Sequence, residues 1–131
     1  MNRAIEIHDS IFSGTSNTNG VLVIHLNKAY IHESTGAPGV DNGKGFVQEI
    51  ELELSNAIIE KNPAHLPSKL SDGYISINGN KTQNGFNLPL NEEGDIVISF
   101  ITTQNEQFVV RGSKLVSTLL GAAEYVEEFK A

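Results

Sequence analysis

The chain has 131 residues, 39% hydrophobic and 19% charged, the usage of an ordinary globular domain rather than a disordered one. Sixteen acids against nine bases give a formal net charge of −7, which argues against a generic binder of the phosphate backbone. Cysteine is absent, which excludes disulfides, thiolate metal sites and a cysteine nucleophile.

A chain of this length supports one core, so residues 1–131 are expected to form a single domain. Met1 to Ile7 lacks the apolar run of a secretory signal, with Glu6 falling where one would lie. The nearly apolar Val21 to Ile24 is too short to cross a bilayer. The expectation is a soluble cytoplasmic protein with no membrane and no nucleic-acid partner.

The dominant period is two, the period of a strand. Ile5 and Ile7 alternate with Glu6 and His8, and Val21 to Leu26 is apolar on both faces apart from His25, as in a doubly covered strand. That strand is open to continuation through Tyr30 and His32. Glu49-Ile50-Glu51-Leu52-Glu53-Leu54 alternates strictly, and Tyr74 to Ile77, Ile96 to Ile101 and Phe108 to Arg111 follow similar patterns. Turn chemistry separates these runs. Ser13 to Gly20 reads as a polar turn region, Gly36 to Gly45 as a long loop, and Asn78-Gly79, Asn84-Gly85 and Glu93-Gly94 as punctuation. Thr102 to Gln107 reads as a hairpin connection. At the C-terminus, Lys114 to Leu120 favours a strand on its β-branched content, while Ala122 to Phe129 suits either strand or a short helical turn. The expected fold is all-β, a sandwich or partly closed barrel of about eight strands, with at most a short C-terminal helix.

Two regions carry candidate chemistry. His8 and Asp9 follow an alternating run, and such a pair can share a proton network, hold a metal or orient a base. Strand neighbours point to opposite faces, so the two converge only across a bulge or turn; otherwise Asp9 and Ser10 serve the local backbone. The fourteen residues from His32 to Gly45 are long for a connection in a compact domain, and His32 and Asp41 are its candidate ligand-binding groups. Gly43-Lys44 lacks the following Ser or Thr of a phosphate loop, and Asp41-Asn42-Gly43 lacks the later oxygens of a calcium loop. His8, His25, His32 and His65 have no metal-motif spacing, and on an unbroken strand His25 and His32 would face opposite sides. No G-x-S-x-G elbow supports a serine hydrolase. Glu49, Glu51 and Glu53 share one strand face, which suits either an interaction surface for a basic partner or an ordinary solvated face. Glu124, Glu127 and Glu128 form a second acidic cluster beside Tyr125 and Phe129, aromatics suited to pinning the terminus.

Taken together, Ile5 to Ser10, Gly39-Val40-Asp41 with Gly45-Phe46-Val47-Gln48, and Tyr125 to Phe129 resemble a small bacterial family of uncharacterised all-β proteins, over most of the chain. That family implies no activity. The early His-Asp pair also resembles, over a few residues, the start of some bacterial toxin-immunity proteins, which implies a small acidic protein bound by another protein. The expected function is a non-enzymatic interaction or binding module with a protein partner, and a homodimer through a strand edge is a further option. The alternative is a small-ligand or metal-binding domain using His8, Asp9 and the loop; a hydrolase or isomerase comes last. No cofactor is expected, with a metal left open.

Overall fold

A computed structural model describes all residues from Met1 to Ala131. Nine antiparallel strands make up the fold: β1 (Asn2–Thr18), β2 (Val21–Ser34), β3 (Gly43–Ser55), β4 (Ile58–Lys61), β5 (Ser68–Ile77), β6 (Asn80–Gln83), β7 (Gly85–Leu88), β8 (Asn91–Thr102) and β9 (Gln107–Phe129). They hydrogen-bond in the order β6-β5-β8-β9-β3-β2-β1-β7, with β4 on β9. A further contact between β1 and β5, at Ile11–Lys69 and Phe12–Ser68, bends the sheet round into a partly closed barrel. There is no helix, so Ala122 to Phe129 is strand and the helical option for it falls away. Its pairing along β3 from Gly43 to Val47 supplies the backbone partners that a lone helical turn would lack.

Alternation explains the core. Leu22, Ile24 and Leu26 on β2 and Ile50, Leu52 and Leu54 on β3 all point inward and are buried. Phe12, Phe100 and Phe108 meet at the centre with ring centroids 4.7 to 5.8 Å apart, in tilted and edge-on arrangements that add to their area burial. Each such side chain contributes about 1.5–3 kcal/mol by leaving water. Asn19-Gly20 and Asn78-Gly79 have positive φ at both residues, as tight hairpin turns of right-twisted strands require. The turn after β1 is only Asn19-Gly20, and Gly14 to Thr18 is paired strand rather than turn, held by β2.

Two irregularities position the site. On β2, Leu26 pairs with Ile50 but Ala29 pairs with Gln48, so Asn27 and Lys28 carry one extra residue. Such a bulge inverts the alternation: even residues point inward before it, and Ala29 and Ile31 point inward after it. His25 and His32 therefore both project from the outer face, contrary to the expectation for an unbroken strand. On β1, pairing with β2 is interrupted between Glu6 and Ile11, where Asp9 has φ 75°.

The barrel is sealed unevenly. Where β1 and β5 diverge, β6 stays with β5 and β7 with β1. The two short strands are joined through Asn84, whose N–H donates to Gly73 O at 2.8 Å and whose carbonyl accepts Ile7 N–H at 3.0 Å. Asn84 thus ties the two walls together at the apex of a wedge.

Candidate functional site

A groove of about 580 Å3 lies along the wedge, within the roughly 300–1,000 Å3 range of ligand pockets. Its lining comes from both faces of β7. Glu6 and His32 stand on the outer side with Gly39 and Val40 of the loop, and Phe86, Ile75, Ile77 and Leu90 lie on the core side. Thr82 and Gln83 of β6 form the opposite bank and Glu92 adds a second carboxylate.

His32 is buried, its ring packed edge-on between Tyr30 and Phe129 with centroids 5.0 Å away on each side. Its Nε2–H donates to Glu6 Oε2 at 2.9 Å, and its buried Nδ1 has no partner. Gly39 has φ +79°, and a Cβ there would come within 3.3 Å of the His32 ring, so glycine lets the loop lie on the imidazole. Gly45 works similarly: a side chain would collide with the Tyr30 hydroxyl, which donates to Glu127 Oε1 at 2.5 Å. Burial, then the Glu127 acceptor and the charges of Glu127, Glu6 and Asp9, hold the Tyr30 phenol well above the usual tyrosine range.

His8 and Asp9 do meet, because the break in β1 turns them together: His8 Nδ1 lies 3.4 Å from Asp9 Oδ2 and 4.0 Å from Glu6 Oε1. Asp9 also faces Lys69 Nζ at 3.6 Å, and both His8 and Asp9 are exposed. Ser10 takes the local backbone role, donating to Glu6 O at 2.7 Å and accepting Tyr30 N–H at 3.0 Å. Glu6, which the sequence presents only as an alternating polar residue, hydrogen-bonds His32 and stands 4.0 Å from His8.

The loop between β2 and β3 is shorter than its sequence suggests, Thr35 to Asn42, since both flanks pair as strand. Asp41 Oδ2 accepts Ala37 N–H at 2.7 Å, and Asp41 N–H donates to Ala37 O at 2.8 Å. Asp41 thus closes the loop on itself while Gly39 and Val40 reach the groove. No group of three or more His, Asp or Glu has the geometry to hold a metal ion.

Glu49, Glu51 and Glu53 alternate along the outer face of β3, opposite buried Ile50, Leu52 and Leu54. Glu51 Oε1 lies 3.7 Å from His25 Nδ1, and His25 Nε2 is 2.9 Å from Ser16 Oγ. This serine–histidine–carboxylate order, created by register across β1, β2 and β3, was not visible in the sequence. It sits away from the residues of the groove, and its carboxylate is beyond hydrogen-bond reach. A triad also requires oxyanion donors facing the reacting carbonyl.

No protein-family model, curated protein or solved structure matches the chain.

Proposed function

We propose that this protein is a non-catalytic binding module of the bacterial cytoplasm, whose ligand occupies the groove around β7. The observation that carries this is a concavity built from the barrel's own incomplete closure, with apolar floor and polar wall on opposite sides of one strand. The His32–Glu6 pair forms a fixed polar element of that wall, of the kind that orients a ligand. Membership of the small bacterial family belongs to the same proposal and adds no activity to it. His8 and Asp9 flank the site through Glu6, and Asp41 supports it by shaping the loop.

A thermal-shift panel of metabolites and short peptides tests this on two variants. Asn87→Trp crowds the groove; Glu49→Lys with Glu51→Lys and Glu53→Lys reverses the acidic face of β3. Ligand at about a hundred times its Kd stabilises by roughly 2.7 kcal/mol. Stabilising compounds are expected to act on wild type and the β3 variant and to fail on Asn87→Trp. Stabilisation that survives Asn87→Trp and vanishes with the β3 variant would place the site on the acidic face and refute the groove.

A further inference from the structure

Resting on that assignment of the groove, we propose that its occupant is an extended polypeptide segment, alternately apolar and basic, which adds to the free edge of β7. β6 and β7 are the two ends of the strand path, and each is paired on one side only. An edge strand presents alternate N–H and C=O groups with no partner, which form a template for another strand. Natural edges are usually blunted by charge, and β4 carries Glu60 and Lys61 and β6 carries Lys81. β7, Gly85-Phe86-Asn87-Leu88, carries no charge at all. Its free edge therefore lacks protection by charge, and the groove wraps that edge from both faces.

This geometry dictates the guest's side-chain pattern. A strand paired to β7 sends alternate side chains to opposite faces. One set lies over Ile75, Ile77 and Leu90, which favours apolar residues. The other set lies on the side of Glu6 and His32. The lining contains two carboxylates, Glu6 and Glu92, and neither lysine nor arginine, on a chain of net charge −7. Behind that flank Tyr30 donates to the carboxylate of Glu127, and burial, then Glu127, Glu6 and Asp9, oppose its ionisation. A basic residue on the outer set meets the lining's carboxylates, and electrostatic complementarity of this kind sets partner choice and on-rate. Strand addition of an extended peptide is an established recognition mode, with backbone bonds giving affinity and alternate side chains giving specificity.

The probe is a capped, fluorescent pentapeptide alternating lysine and valine, titrated into the full chain by anisotropy. Two controls accompany it: a glutamate–valine analogue, and the lysine–valine peptide N-methylated on alternate amides. The parent peptide is expected to bind saturably, with about tenfold or greater loss for either control. Its binding should slow amide exchange at residues 85–88 and weaken in Glu92→Lys, a change at an exposed position. Equal binding of the N-methylated peptide would overturn strand addition while leaving a groove ligand standing. Protection confined to residues outside the groove would overturn both. Absence of binding overturns the proposal.

Discussion

Asn84 holds the barrel's seam, and two substitutions separate how it does so. Its φ of 57° lies in the left-handed region, where Asn is tolerated and alanine costs about 1–2 kcal/mol. Its side-chain Oδ1 also accepts His8 N–H at 3.0 Å. Asn84→Gly removes that acceptor while keeping the backbone unstrained. His8 is exposed and its N–H can turn to water, so the expected loss is about 1 kcal/mol. Asn84→Ala removes the acceptor and adds the left-handed cost, giving about 2–3 kcal/mol. At this chain length roughly 3–4 °C of Tm follows each kcal/mol, so the drops are about 3–4 °C and about 6–12 °C. Urea denaturation, with unchanged m, and calorimetry measure both variants. Asn84→Asp, which keeps an acceptor and tolerates the same φ, should stay near wild type. Equal destabilisation by glycine and alanine would refute the claim that left-handed backbone geometry helps set the strength of the seam.

Tyr30 predicts an alkaline effect. The unfolded tyrosine titrates near 10 while the fold holds Tyr30 protonated above that value, so its contribution is full below pH 10 and is lost as pH rises beyond it. Tyr30→Phe should flatten the loss of stability between about pH 8 and about pH 11 in chemical denaturation; an unchanged slope would refute it. Glu106 acts in the opposite sense. The N–H of Ala64, followed by His65, holds its carboxyl below the ordinary 4.5, so its contribution is present above that value and lost as pH falls. The stability difference between wild type and Glu106→Gln should shrink between about pH 7 and about pH 3, and a constant difference would count against it. Leu52→Ala, at a position with 0% exposure, should cost about 3–5 kcal/mol in denaturant unfolding; a loss under about 1 kcal/mol would mean the barrel collapses onto the void.

The sequence made the long strands legible because their alternation is strong: from Glu49 to Leu54 the apolar face is buried and the acidic face is exposed or half-buried, as its pattern demands. The Asn-Gly turns were equally plain, since few other dipeptides accept positive φ at both positions. β6 and β7 were not legible. Asn80-Lys81-Thr82-Gln83 has no apolar alternation, and Asn84-Gly85 looks like a turn although it links two strands that part company. Their pairing is set by distant β5 and β1, which local periodicity does not encode. The candidate site was half visible for the same reason. His32 and the His8–Asp9 pair stood out by residue type, but Glu6 gains its role only from the register that sets it beside His32.

The extra residue at Asn27–Lys28 has a consequence for the tolerated variation of this chain. Upstream of it, β2 builds the barrel wall; downstream, the same strand offers His32 to the groove while keeping Ile31 in the core. Core and recognition surface are thus kept in phase because the extra residue is bulged out of the ladder. Loss of one of the two positions would straighten β2 into regular alternation with Leu26, Ala29 and Ile31 still inward and His32 still outward, whereas pairing both in the ladder with no residue lost would exchange the two sets. Point substitutions at the exposed Asn27 and Lys28 can be many, and one of the two positions can be lost, so long as what remains keeps Leu26 opposite Ile50 and Ala29 opposite Gln48.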